Sequence, residues 1–533
     1  MAMKSPTKKG SRPNFLFFIA DQLRSDHLGC YGNRIVKTPN IDALAAKAWV
    51  NDNFYVASPI CMPNRATLLT GRMPSLHGVR HNGIPLALDA TTFTDQMRRA
   101  GYRTGMVGKG HFQNMTGNPP QWPLDPKDRL PVEARANHGG RYDQEWAPAW
   151  KADPAFDLDY PFYGFETVDL TVEHGDDLQG HYRRWANTKT NDVESLIGEK
   201  NALPAPDYEL TRVHQAWRTK LPPALHPTGY CAERTMARLE EYAKGQAPFF
   251  LMCSFADPHH PFTPPGDYWG MYKPEEVELP SSFTAPTDHL PPHVKWLHQQ
   301  RDAGRAVKST PTLFAATERE VREAIALNYG LISFIDHGVG RVLDKLATLG
   351  LAENTIVVFT ADHGDYMGDH QLLLKGPIHY RSITQVPFIW RDPTGPQAKR
   401  SGAFGGTIDL APTILKRAGV QGFNGIQGKN LLPLIENGTA LYDEILIEEE
   451  GQRMGVGLPA RARVRSLVTE RYRLTLYDGV EWGELYDREN DPDESFNLWN
   501  EPGAQAIRGE MLLRLSRKML AYIETSPNPT AVA

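Results

Sequence analysis

One cysteine stands out by its neighbours. Cys61 opens the run Cys61-Met62-Pro63-Asn64-Arg65 in a chain of 533 residues with only 4 cysteines, and Leu69-Thr70-Gly71-Arg72 follows close behind. The run reads as the start of a helix, where backbone N–H groups and the positive end of the helix dipole favour negative charge. Cys30, Cys231 and Cys253 are widely spaced and form no C-x-x-C pair. They read as buried small hydrophobes rather than a zinc site or a disulfide framework. Other groups able to hold a ligand or move a proton collect at the ends of apolar runs: Asp21, Lys109 with His111, His259, and Asp362 with His363. Four run ends that each present such groups are more than solvation explains, and in open α/β sheets ligands sit at the carboxyl ends of the strands.

The elements that must position these residues are legible as a pattern. NFLFFIAD from Asn14, RTGMVG from Arg103, PFFLMCSFAD from Pro248 and NTIVVFTADHG from Asn354 have the apolar texture of buried parallel strands. Helical patterns alternate with them: TPNIDALAAKAWV from Thr38, TTFTDQMRRAG from Thr91, GYCAERTMARLEEYAKG from Gly229 and the long EREVREAIALNYGLISFIDHGVGRVLDKLATLG from Glu318. The alternation predicts an α/β fold with a large, mostly parallel sheet sandwiched by helices. Residues 117–227 are rich in Pro, Gly, Trp, Tyr and Asp with weak periodicity, and read as an insertion, a lid or an oligomer contact. From about Gly425 the short alternating runs EILIEEE, RVRSLVTE and YRLTLYD predict a small antiparallel sheet, followed by a last helix. The division is thus a catalytic α/β domain over 14–424 and an α+β subdomain over 425–533.

Composition narrows the function. The net charge of −5 and the absence of a basic stripe argue against nucleic acid. No apolar run approaches the roughly 20 residues needed to span a bilayer. The basic start is followed only by a short apolar run, so no signal peptide is read and the expected location is the cytoplasm. A helical C-terminus and a long insert point to a homo-oligomer, a dimer or tetramer.

The run from Cys61 to Arg72 resembles the C-x-P-x-R signature of the type I sulfatases and the related phosphonate monoester hydrolases of the alkaline phosphatase superfamily. DQLRSDHLGCYGN from Asp21, GKGH from Gly108, TADHGDYMGDH from Thr360 and the late ELYDRENDPDESFNLWNEP carry the same resemblance, which runs from about Asn14 to Pro502. It implies an alkaline phosphatase-like fold and a Cys61 oxidised after translation to formylglycine by a formylglycine-generating enzyme. The implied substrate is a small organic sulfate ester, with phosphonate monoesters or phosphodiesters as the alternative. A protein that kept the fold and lost the chemistry is less favoured, because Cys61, Arg65, Asp21 and Asp362 are all present.

The implied chemistry fits the residue types. A sulfate monoester is anionic, so attack on sulfur needs a metal and cationic side chains. A hydrated aldehyde offers two hydroxyls on one carbon: one attacks sulfur and expels the alcohol, the other then loses its proton so that sulfate leaves by C–O cleavage. By matching, Asp21, Gln22, Asp362, His363 and position 61 hold one divalent ion, Ca²⁺ or Mn²⁺, with Mg²⁺ also suited. Gln22 in place of a second aspartate and His363 in place of an asparagine resemble the phosphonate enzymes, and the imidazole favours Mn²⁺. Lys109 and His111 match the sulfatases instead. Arg65 lies one helical turn after Cys61 and places its guanidinium beside the nucleophile. Lys109 and Lys375 hold sulfate oxygens. His111 and His259 are the acids and bases, with His259 given the edge as the acid toward the leaving alcohol. Asn82 resembles a substrate contact of the phosphonate enzymes. His370 is balanced between supporting the site and supporting the fold, Asp409 reads as a helix cap, and His138, His174 and His181 read as surface or lid residues.

Overall fold

The computed structural model describes residues 12–118, 139–451, 456–459 and 461–531. His138 and the rest of 119–138, within the insert, lie outside them. The main sheet has eight strands: β1 (Asn14–Ala20), β2 (Trp49–Asn51), β3 (Arg103–Lys109), β4 (Thr167–Thr171), β5 (Phe249–Phe255), β6 (Thr355–Ala361), β7 (Phe388–Arg391) and β8 (Lys399–Ser401). Their spatial order is β8-β2-β7-β6-β1-β5-β3-β4. All run parallel except β7, which is antiparallel to both of its neighbours. The central strands β1, β5 and β6 are buried along their whole length, which is why they read as unbroken apolar runs.

Helices α1 (Pro39–Ala45), α2 (Cys61–Thr70), α3 (Phe93–Arg99), α4 (Pro227–Tyr242), α5 (Pro292–Asp302), α6 (Glu318–Thr348) and α7 (Leu410–Arg417) accompany the sheet. The layer formed by α1, α4 and α6 packs together, as does that formed by α2, α3 and α7. Thr317 and Glu320 close a reciprocal capping box at the start of the 31-residue α6. Four further strands, β9 (Glu444–Glu450), β10 (Arg463–Thr469), β11 (Tyr472–Tyr477) and β12 (Gly483–Asp487), form an antiparallel meander, and α8 (Gln505–Ala521) packs against it. Among the described residues no helix is long and apolar enough to cross a membrane.

Three sequence expectations are corrected. The helical reading from Thr38 to Val50 stops at Ala45, and its end, Trp49–Asn51, is strand β2, because the β-branched and aromatic residues there pair between β7 and β8. The 117–227 segment is no mere cover, since it supplies β4, which pairs with β3 in the main sheet. Asp409 does precede α7, but its carboxylate makes no cap bond to that helix and instead closes the short turn before it. It accepts from the N–H groups of Gly406, in its own turn, and of Lys429 at 2.9 and 2.7 Å, and so ties the Lys429 loop to the start of α7.

Candidate active site

Five adjacent parallel strands deliver the site at their carboxyl ends. In sheet order, β6 is followed by Asp362 and His363, β1 by Asp21, β5 by His259, β3 ends on Lys109, and β4 is followed by His174. Gly108 makes this register possible: its φ is 99°, and a Cβ there would lie 1.8 Å from the Ser254 carbonyl oxygen on the neighbouring strand.

Helix α2 begins at Cys61, as its sequence suggests, and all ten of its residues are buried. Pro63 sits in the first turn, where a missing N–H costs no helical hydrogen bond. The Met62 N–H donates to Asn82 Oδ1 at 3.0 Å. Among these first-turn groups, then, one N–H is taken and one does not exist. Fewer backbone N–H groups therefore face residue 61 than a helix start alone implies. Asn82 is accordingly placed at the start of α2. Asn64 Nδ2 donates to the Asp362 carbonyl at 2.5 Å. One turn on from Cys61, Arg65 Nε donates to Asp362 Oδ2 at 2.7 Å, and another of its nitrogens donates to the Lys109 carbonyl and Ser254 Oγ, both at 2.9 Å.

The sulfur of Cys61 lies 2.9 Å from Lys375 Nζ, 3.1 Å from His363 Nε2 and 3.7 Å from Asp21 Oδ1. Ligand atoms of Asp21, Cys61, Asp362 and His363 all lie within 4.8 Å of one another. Lys375 Nζ also reaches His363 Nε2 at 3.0 Å and His259 Nε2 at 3.1 Å. Burial and Asp21 oppose ionisation of Cys61, but Lys109, Lys375 and His363 outweigh them and pull its pKa below the usual thiol value. Burial likewise opposes a charged Asp21, and Lys109, His259 and Lys375 overcome it, holding the carboxyl well below its usual range.

The donor set fits a divalent ion. It offers hard carboxylate oxygens and one imidazole. Gln22 adds an amide oxygen, Oε1, which is buried without a hydrogen-bond partner among the described residues, while its Nε2 is held by Asp365 and by His260 Nδ1 at 3.3 Å. His363 Nδ1 lies 2.9 Å from the Gly364 carbonyl and donates to it, which turns Nε2 toward Cys61 and Lys375 as the ring atom that could ligate.

The remaining expected residues are also brought here. His259 is stacked between His260, at 4.1 Å, and His174, at 3.8 Å. Burial, His174 and Lys375 hold its pKa well below the usual histidine value. His111 has a left-handed backbone, φ 58°, and its N–H donates to Glu145 Oε1 at 2.5 Å. Its ring lies 6.2 Å from that of His174, and burial with Lys109 holds it neutral. His370 stands outside this cluster, stacked at 4.0 Å on Tyr380.

Sequence reasoning missed three residues. Asp365 grips Gln22, and Glu145 accepts from three successive backbone N–H groups, those of His111, Phe112 and Gln113. His174, read as a surface or lid residue, has its Nε2 2.6 Å from Lys109 Nζ and 3.4 Å from Asp21 Oδ2. Burial and Lys109 push it down to about 4 despite the neighbouring carboxylate. A signal for it existed: Val168, Leu170 and Val172 alternate as in an edge strand, and His174 then follows as polar residues follow the other strands.

Known proteins resemble this chain along most of its length. A family model described as Sulfatase matches residues 13–420, and one described as N-sulphoglucosamine sulphohydrolase, C-terminal, matches residues 368–520. The chain is 29% identical over 503 residues to the uncharacterized sulfatase YidJ of Escherichia coli, covering 94% of this chain and 86% of that one. It is 28% identical over 498 residues to an arylsulfatase of Clostridium perfringens, covering 92% and 90%. Its fold is similar to that of the phosphonate monoester hydrolase of Agrobacterium radiobacter, with a TM-score of 0.74, 24% identity and 98% of both chains covered. The Sulfatase match spans well over half of the chain and contains every strand end that carries a site residue, so the chain belongs to the sulfatase family.

Proposed function

We propose that the protein hydrolyses organic sulfate monoesters of the aryl or small-molecule type, with residue 61 as formylglycine. One observation carries the reading. In a C-x-P-x-R run, Cys61 opens a buried helix at the point where Asp21, Asp362, His363 and Lys375 converge. A divalent ion held by Asp21, Gln22, Asp362 and His363 would supply Lewis-acid polarisation of the anionic ester. The chain's own groups do the rest. Lys375 and Lys109 face the reacting centre with N–H groups that hold sulfate oxygens. Arg65, locked onto Asp362, keeps that carboxylate oriented. His111 and His259 are the groups that give a proton to the leaving alcohol or take one from residue 61. His259 Nε2 lies 3.1 Å from Lys375 Nζ, so the imidazole and the ammonium form a hydrogen-bonded pair beside the reacting centre. The conversion of Cys61 needs a formylglycine-generating enzyme as partner during maturation, and Ca²⁺ and Mn²⁺ are the ions best suited to the donor set.

Gln22 and His363 favour a second reading, in which phosphonate monoesters or phosphodiesters are turned over by the same groups. The test compares kcat/KM on an aryl sulfate and an aryl phosphonate sharing one leaving group, with peptide mass reporting conversion of Cys61. A higher value on the sulfate is expected. A higher value on the phosphonate would invert the order, and no turnover of either by fully converted protein would overturn both readings.

A further inference from the structure

The segment least readable in the sequence places a side chain inside the proposed site. His174 follows β4, and the turn that holds it is fixed on several sides. Val172 and Gln179 bridge its two ends. Asp176 accepts from the Gly198 N–H at 3.0 Å and from Thr219 Oγ1 at 2.5 Å. Gly175, at φ 77°, packs on the loop that carries His259, so closely that a Cβ there would come within 2.9 Å of Pro261 Cγ. A side chain held this way has a defined position rather than a loop's freedom.

That position touches two groups at once. His174 Nε2 is 2.6 Å from Lys109 Nζ, and the ring lies at 3.8 Å, 19° from parallel, on the ring of His259. An ammonium can only donate, so Nε2 accepts and the ring proton of a neutral His174 sits on Nδ1. Lys109 gives a second N–H to Asp21, which leaves it one for a substrate oxygen. Two fixed acceptors define the direction of the third N–H.

We propose that His174 is a positioning residue that aims the Lys109 ammonium and sets the plane of the His259 imidazole. The inference rests on the roles given above to Lys109 and His259. It predicts that the two functions of His174 separate by chemistry. Gln keeps an acceptor near Nε2 but loses the ring, whereas Phe keeps the ring and loses the acceptor.

The experiment measures kcat/KM over a series of aryl sulfates and aryl phosphonates for the wild type, His174→Ala, His174→Gln and His174→Phe, with thermal melts of each. Residues that orient a functional group commonly cost 10–100-fold when removed, so His174→Ala is expected to fall by about that factor with an unchanged melt. Gln should restore the evenly lost part, and Phe the part that grows with leaving-group pKa. On a Lys109→Met background, His174→Ala should add less than about threefold to the evenly lost part, since those two residues act as one unit, and should keep the part that grows with leaving-group pKa. An alanine variant close to wild type, full multiplicativity of the evenly lost part on Lys109→Met, or no recovery by either Gln or Phe in a well-folded protein would overturn the proposal. A wild type inactive on every ester would instead overturn the functional reading. The inference is then decided by ¹⁵N imidazole NMR, in which His174 should show an unprotonated Nε2 whose shift moves in Lys109→Met. A protonated Nε2, or no movement, would refute it.

Discussion

Asp362 shows how much one residue can hold. Its two carboxylate oxygens serve different partners: Oδ1 accepts from the Gln22 N–H at 3.1 Å, and Oδ2 accepts from Arg65. Both members of the Arg65 pair are buried, at 2% and 0% exposure. Removing one partner of such a pair leaves an uncompensated charge in the interior, at about 3–5 kcal/mol. Asp362→Ala should therefore lose both bound metal and stability, whereas Gln22→Ala should lose some metal affinity and little stability. Elemental analysis after gel filtration, together with denaturant melts, checks this; equal losses in the two variants would count against Asp362 as the anchor. Residue 61 makes a sharper case. In Cys61→Ser a hydroxyl can attack sulfur once, but the resulting ester lacks the second hydroxyl that would release sulfate. The expected result is at best one slow turnover and a sulfated serine seen by intact mass. Steady multiple turnover by this variant would contradict the formylglycine route.

At the scale of elements, α2 carries Cys61, and its start is fixed by a residue from outside it. Asn82 Oδ1 takes the Met62 N–H that an ordinary N-cap side chain would take, and Ile60, which occupies the cap position, cannot. Asn82→Ala should cost about 1 kcal/mol, the usual value of a lost N-cap. Urea unfolding measures it, and an unchanged midpoint would show that the contact contributes nothing. The helix itself was legible because its signature is local: Cys61, Pro63 and the terminal Gly71, at φ 64°, are read directly. The central strands were legible for a related reason, as burial on both faces leaves unbroken apolar runs. Strand β4 was not, because at the sheet edge it is short and carries Asp169, which two arginines, Arg234 and Arg238, pair from α4. His174 went unread with it. Asn82 lies near position 61, yet its bond to α2 depends on tertiary approach, which no spacing encodes. His174 hangs on a weak edge strand, whereas Asp365 follows a strong one, two residues past His363, and shows its part only through its contact with Gln22.

At the scale of the whole molecule, the C-terminal meander is joined to the catalytic body by polar groups that are buried or half-buried. His379 Nε2 contacts Glu449 Oε2 at 3.1 Å, Arg488 donates to Tyr55 at 2.6 Å, and Glu484 of β12 lies 3.4 Å from His293 of α5. Glu484 also pairs with Arg473, which in turn donates to Glu494 at 2.7 Å. Burial opposes a charged Glu484, but Arg473, His293 and Tyr477 outweigh it and depress its pKa from the ordinary 4.5 to about 2. A carboxyl depressed on folding stabilises the protein above its unfolded pKa and loses that contribution as the pH falls through the folded one, here between about 4.5 and 2. A shift of this size corresponds to about 3 kcal/mol. Gln at 484 keeps the volume and removes the charge, so Arg473 loses one of its two carboxylates. The wild type should be more stable than Glu484→Gln at neutral pH by about 3 kcal/mol, and the gap should close as the pH is lowered toward 2. Chemical denaturation of both proteins across that range measures the gap directly. If it stays constant with pH, Glu484 does not carry its charge in the folded protein, and its contacts with Arg473 and His293 add no pH-dependent stability.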